Sequence, residues 1–276
     1  MFDNNSYPLN YELKDKEYRK LVKIVYDSAG INLGDNKQEL VHARLGKILR
    51  KRNIRGFDEY IKLLSTDTSG DELVMLLDAI ATNVTHFFRE SDHFDFITQQ
   101  FSEVRNPSEI RIWSAGCSSG EEPYSIAITL CELFGNCPRP QSHILATDIS
   151  TRILDRAKRG VYPRKVIENL DLSLLKKYFL KGKGNSDGLI KVRKEIIGMV
   201  TFQRLNLVEP FNLTTQFDVI FCRNVMIYFD NSTRQSIVEN FNRALKPGGI
   251  LIIGHSESLN GIRHPFKYLK PTIYVK

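Results

Sequence analysis

Residues 109 to 125, EIRIWSAGCSSGEEPYS, run from an apolar strand through a turn of small residues into a helix that opens with two carboxylates. No other segment restricts the fold so much. A strand that feeds directly into a helix begins a βαβ unit, and the same texture recurs in HILATDIS, FDVIFCRN and GGILIIGHSE, the last following a helix over Gln235 to Leu245. That alternation predicts a mostly parallel, Rossmann-like α/β sheet. Residues 11 to 80 read differently. Leu21 and Val25, Val41, Leu45 and Ile48, Phe57, Tyr60 and Leu64, and Leu73, Leu76, Leu77 and Ile80 recur at helical spacing, with breaks near Gly30 to Asn36, Asn53 to Gly56 and Ser65 to Gly70. The expected organisation is an all-α domain over 1–80, a linker and a ligand-contacting helix over 81–106, and an α/β domain over 107–276. Turn residues between β-prone runs predict a small antiparallel β subdomain inserted at about 163–204.

The turn itself is suited to a ligand. Gly116 and Gly120 can take positive φ and leave no Cβ in the way, Ser118 or Ser119 is the expected N-cap, and Glu121, Glu122 and Pro123 suit a first helical turn. A pyrophosphate site would present bare N–H groups and positive charge, which two carboxylates oppose. The Gly-x-x-x-Gly spacing also fits neither a dinucleotide fingerprint nor a P-loop. A ligand with a cationic end fits better, and S-adenosylmethionine (SAM) has one in its α-ammonium and sulfonium. In a parallel sheet the ligand lies at the carboxyl ends of the strands. There Asp148 can accept two ribose hydroxyls, Asn206 and the Leu207 backbone can meet an adenine edge, and Arg223 and Asn224 precede the run Val225 to Tyr228.

The motifs TNVTHFFR, WSAGCSSGEEPYSIA, ATDIS, FCRNVMIYF, LKPGG and GHSESL resemble those of the chemotaxis-receptor glutamate methyltransferases, the CheR family, over about residues 15 to 275. The resemblance implies a SAM-dependent methyltransferase fold with an N-terminal all-α domain. It implies transfer of a methyl group to the γ-carboxylate of receptor glutamates, with S-adenosylhomocysteine as product. Carried over by position, the cofactor contacts are Asn83, Thr85, Arg89, Glu122, Asp148, Asn206, Leu207, Arg223 and Asn224, and Arg89 and Tyr228 face the reacting groups. A glutamate is ionised at neutral pH, so no general base is needed. Arg89 is the expected clamp for the incoming carboxylate, with Tyr228 as a further donor.

The remaining features are less specific. The formal charge of +7 suits an acidic partner. Residues 37 to 55 hold seven basic side chains against Glu39, and Arg44, Lys47 and Lys51 share a face at i, i+3 and i+7. A solvated face is one reading; the resemblance favours docking on the methylation helices of a chemoreceptor. The inserted β subdomain is compatible with capture of a receptor's C-terminal tether peptide by β-augmentation. The four cysteines show no metal-ligand rhythm and read as reduced thiols; His86 and His93 read as structural, His255 faces the site region without a role in the chemistry, and no metal is expected. Without a membrane span or signal peptide, the chain is expected to be cytoplasmic and monomeric, without nucleic-acid binding. Two alternatives remain open: a nucleic-acid base N-methyltransferase, loosely suggested by Asn224 to Tyr228, and a cofactor-binding signalling adaptor without turnover.

Overall fold

The computed structural model describes residues 12–80, 85–104, 110–135, 144–211, 213 and 215–276. Two compact units divide the chain, Met1–Thr82 and Asn83–Lys276. The first unit consists of α1 (Asp15–Ala29), α2 (Gln38–Lys51), α3 (Phe57–Thr66) and α4 (Asp71–Ile80). At the start of α1 the Glu17 carboxylate accepts the Lys14 N–H at 2.9 Å, and Gly30 closes its end in the left-handed conformation. The apolar stripes read from sequence face inward, and Leu21, Val25, Val41, Leu45, Leu49, Phe57, Tyr60 and Leu76 are buried. Charged groups complete this packing. The Arg44 guanidinium donates to the last carbonyls of α4, at Ala79 and Ile80, and Arg52 pairs with the buried Glu72.

The second unit begins with α5 (Asp92–Phe101), then alternates β1 (Ile112–Ala115), α6 (Glu121–Phe134), β2 (Ile144–Asp148) and α7 (Thr151–Arg159). A small antiparallel sheet follows, from β3 (Val161–Pro163), β4 (Phe179–Lys181) and β5 (Leu189–Val192), in the order β3-β5-β4, with α8 (Leu172–Tyr178) before β4. After α9 (Lys194–Ile197), β6 (Val200–Arg204) pairs parallel with β2, so it is a strand of the large sheet and not of the small one. The small sheet therefore starts two residues before the expected position and ends at Val192. The chain then forms β7 (Phe217–Cys222), α10 (Asn231–Ala244), β8 (Leu245–Ile253), β9 (Lys267–Lys270) and β10 (Ile273–Val275).

The large sheet has the order β6-β2-β1-β7-β8-β10-β9, parallel from β6 to β8 and antiparallel at β10 and β9. Strand order reverses about β1, whose neighbours are β2 and β7. Loops leaving β1 and β7 consequently diverge to opposite faces and open a crevice at their carboxyl ends. One apolar layer holds Phe94, Ile97, Ile126, Leu130 and Phe221; the other packs Trp113 against Phe217 and Phe241. Cys117 and Cys222 are free, buried thiols, as read from sequence. Cys131 is disulfide-bonded, contrary to that reading, and Cys137 lies outside the described residues. Among the described residues no helix is long and apolar enough to cross a membrane.

Candidate active site

The Gly116 turn is held open by backbone geometry. Its residues Gly116, Ser118 and Gly120 have φ of 78°, 49° and 96°, and the N–H groups of Gly116 and Cys117 both donate to the Thr147 carbonyl of β2, at 2.8 and 2.9 Å. A Cβ on Gly116 would stand 2.4 Å from Val225 Cγ2, and one on Gly120 2.9 Å from Ala157 Cβ. Glycine is therefore required at both positions, for conformation and for space. The N-cap of α6 is Gly120, without a side-chain cap, and not Ser118 or Ser119. Ser119 Oγ donates instead to Glu121 at 2.6 Å, while the Ser118 N–H donates to Asp148 Oδ2 at 2.9 Å.

The two first-turn acids part company here. Glu121 turns inward against Ser119, where burial lifts its carboxyl above the usual range. Glu122 joins a charged cluster. Its Oε1 accepts the Ser114 hydroxyl at 2.7 Å, and its Oε2 lies 3.2 Å from Arg223 Nη1. Arg223, with its side chain 2% exposed, reaches Glu90 Oε2 at 3.0 Å, donates to the Arg89 carbonyl, and lies over the Phe94 ring at 5.6 Å. One guanidinium bridges the two carboxylates, and Arg89 approaches Glu90 from its other oxygen. The two acids respond differently. Burial lifts Glu122 above the ordinary range despite Arg223 and Ser114, whereas at Glu90 burial is outweighed by the Arg223 charge and hydrogen bonds, which lower it.

Arg89 stands between two residues of positive φ, Phe88 at 54° and Glu90 at 55°. A bulky aromatic in that region is strained, and its N–H is fixed by Ser125 Oγ of α6 at 2.9 Å. The Arg89 side chain is 34% exposed, with Nε 3.8 Å from Glu90 Oε1, so it is far more accessible than Arg223. The crevice thus has a buried, acid-rich floor and a half-exposed cation beside it.

Other expected site residues are placed as follows. Asp148 ends β2, accepting the Ser118 and Ser150 N–H groups on its two oxygens at 2.9 and 3.0 Å. These bonds fix the orientation of the carboxylate at the strand end. Asn206 and Leu207 are buried beyond β6, and the Asn206 amide turns onto its own loop, donating to Glu209 at 2.8 Å. Asn224 follows β7 with φ of 59°, and Tyr228 lies half-buried in the 3-10 turn Met226–Tyr228. Thr85 is half-buried before the Arg89 segment. Asn83 lies outside the described residues.

In the helical unit Lys47 and Lys51 are exposed, while Arg44 is partly buried on the α4 carbonyls. The three do not form one equivalent basic face, because a helix end has taken the first as its cap.

Sequence reasoning missed Ser114, Glu90 and Glu257. Glu90 directly follows Arg89 and Glu257 lies within GHSESL, so both were in view without a role. The histidines also group unexpectedly. His93 is fully buried, its Nε2 2.7 Å from Thr272 Oγ1 and its ring edge-on to His255 at 5.0 Å. Glu90, His93 and His255 present ligand-type atoms within 4.8 Å of one another, yet Arg223 already pairs with Glu90 there.

The residues fit SAM. The Glu122 carboxylate at the start of α6 suits a cationic methionine end, Asp148 at the end of β2 suits a ribose, and the Ser118 hydroxyl is a buried polar atom without a hydrogen-bond partner in the turn. Fold and site define a SAM-dependent methyltransferase. Residues 83–275 match the family model of the CheR methyltransferase SAM binding domain, and residues 16–81 that of the CheR methyltransferase all-alpha domain. The chain belongs to the CheR methyltransferase family. It is 43% identical to the chemotaxis protein methyltransferase of Borreliella burgdorferi over 284 residues, covering 99% of each chain. The chemotaxis protein methyltransferases of Salmonella typhimurium and Escherichia coli are each 39% identical over 263 residues, covering 95% of this chain and 90% and 91% of theirs.

Proposed function

We propose that this methyltransferase esterifies the γ-carboxylate of glutamates on the cytoplasmic helices of chemoreceptors, in sensory adaptation. The observation that carries this reading is Arg89, a half-exposed guanidinium on strained backbone beside a buried acidic cluster. When bound, SAM supplies a sulfonium-activated methyl group, which ends as the glutamate ester with S-adenosylhomocysteine as the other product. Glu122 receives the ammonium end, Asp148 the ribose, and Thr85, Asn206, Leu207, Arg223 and Asn224 line the remainder, with Asn83 assigned by resemblance alone. The protein needs no general base, since a glutamate with a pKa of about 4.3 is already ionised. Its task is to orient and desolvate. Arg89 holds the non-attacking oxygen of the substrate carboxylate and Tyr228 donates a second hydrogen bond, which aligns the attacking oxygen without neutralising it.

Lys47 and Lys51 guide the acidic methylation helices to the enzyme, with Arg44 mainly supporting the helix that carries them. The small sheet offers an edge for a receptor's C-terminal peptide, and the enzyme acts as a cytoplasmic monomer. The test uses receptor-containing membranes and SAM labelled in its methyl group. Label should enter the receptors and leave as methanol in mild alkali, the behaviour of a carboxyl ester. Label that is stable to alkali, or that enters nucleic acid, would overturn the reading, and no incorporation at all would point to a non-catalytic adaptor.

A further inference from the structure

The GHSESL segment closes β8 without a role in the chemistry above. Its geometry supplies one. At Gly254 the backbone lies flat against the loop that follows β7, where an added Cβ would be 2.6 Å from Asn224 Nδ2 and 2.9 Å from Asn224 N. The Glu257 N–H donates to the Gly254 carbonyl at 2.9 Å, which folds the Glu257 side chain back across both strand ends. Glu257 Oε2 accepts the N–H groups of Gly254 at 2.6 Å and Asn224 at 2.8 Å, and Oε1 accepts that of Ile227 at 3.2 Å.

From this geometry we infer that Glu257 is a positioning residue for methyl transfer, setting the conformation of Asn224 to Tyr228 through backbone hydrogen bonds from Asn224 and Ile227 and anchored by a third from Gly254. Asn224 has a left-handed backbone and needs an external partner for its N–H. Ile227 lies in a single 3-10 turn, whose leading N–H groups have no partner within the turn. One carboxylate meets both needs and ties them to the end of the neighbouring strand. Two acceptor oxygens are required. In Glu257→Gln one oxygen becomes an NH₂ group that faces a backbone N–H, and Glu257→Asp shortens the reach by one methylene. The carboxyl stands above the usual glutamate range because burial outweighs its backbone hydrogen bonds, as expected for a group enclosed between strand ends.

The inference rests on the proposed roles of Asn224 and Tyr228, so the test reads each separately. Affinity for S-adenosylhomocysteine is measured by calorimetry, turnover with receptor-containing membranes, and amide exchange by mass spectrometry. The variants are Glu257→Gln, Glu257→Asp, Asn224→Ala, Tyr228→Phe and, as a stability control in the α10 core, Ile237→Val. Glu257→Gln should weaken S-adenosylhomocysteine about tenfold, lower kcat, and speed exchange selectively in the peptide spanning 223–229. Glu257→Asp should recover only part of this, and Ile237→Val should leave affinity and local exchange at the wild-type level. If Glu257→Gln matches the control in affinity, kcat and exchange while Asn224→Ala and Tyr228→Phe are impaired, the role of Glu257 is overturned and the site reading stands. If Asn224→Ala and Tyr228→Phe also behave as wild type, both are overturned.

Discussion

Charged side chains serve different ends in the two units of this chain. In the helical unit they finish the fold or face solvent: Arg44 caps α4, Arg52 covers Glu72, and Lys47 and Lys51 are exposed. In the sheet unit they are concentrated where a core would normally be apolar, with Arg223, Glu90 and Glu122 enclosed at the ends of β1 and β7. Burying such groups carries a desolvation cost that only close pairing offsets, so a protein that accumulates them at one crevice is holding a preorganised field there. A charge-rich sequence is therefore less informative than where its charges are enclosed.

The comparison is broken most severely at Arg223. Replacing it by Met leaves Glu122 buried without its cation and Glu90 with Arg89 as its remaining guanidinium. A loss of about 3–5 kcal/mol in a denaturant titration is expected, together with loss of S-adenosylhomocysteine binding. A stable, binding-competent variant would show that the cluster is not the organising feature of the site. Arg89 sharpens the contrast, since it is half-exposed and should affect chemistry more than folding. Arg89→Ala is expected to lower turnover about 100-fold with little change in thermal midpoint, and Tyr228→Phe to lower it less. Equal, small effects in a labelled-methyl assay would remove Arg89 from the role of clamp.

Acid should also separate the units. Burial, assisted by Arg223, lowers the pKa of His93 to about 4, against the opposing charges of Asp92 and Glu90. The unfolded chain takes up this proton near pH 6.5, the folded chain only near 4, so stability should fall as pH drops through that window. Glu90 and Asp92, both held below their ordinary values, extend the loss to lower pH. Thermal midpoints should flatten between pH 6.5 and 4 in His93→Gln; an unchanged slope would assign the acid sensitivity elsewhere.

The smallest effects belong to the helical unit. Arg52→Ala, which uncovers a half-buried pair, should cost about 1 kcal/mol without altering turnover, as a denaturation curve would read. Charge reversal at Lys47 and Lys51 should raise the apparent KM for receptor membranes a few-fold at low salt, and the difference should shrink as salt is added. Arg44→Glu should instead lower stability, because its guanidinium is engaged with the α4 carbonyls. A salt-insensitive KM would leave Lys47 and Lys51 as solvated surface.

The parts of the site read from sequence are those that local geometry dictates. Gly116 and Gly120 announce a turn that only glycine can make, and Asp148, Arg223 and Asn224 follow apolar strands whose carboxyl ends must share one edge. The reading failed where partners come from far along the chain. Glu90 meets Arg223 across 133 residues, and Glu257 meets Asn224 across 33, and neither spacing leaves a trace in the pattern. The serines expected to cap α6 were also misassigned. Ser119 instead donates its hydroxyl to the Glu121 carboxylate, and the N-cap position falls one residue later on Gly120 in the left-handed conformation.

Alone, the sequence determined the helical and strand periods, the parallel sheet with its glycine turn, and, through its motifs, the family. These depend on local conformational preference and on which faces must leave water. The tertiary structure decided which charges are buried and with whom: that Glu122 faces the crevice while Glu121 turns away, that Arg44 caps a helix while Lys47 remains exposed, and that β6 joins the large sheet. A charge's energy depends on its distance to partners and on its solvent exposure, and neither exists until the chain has folded.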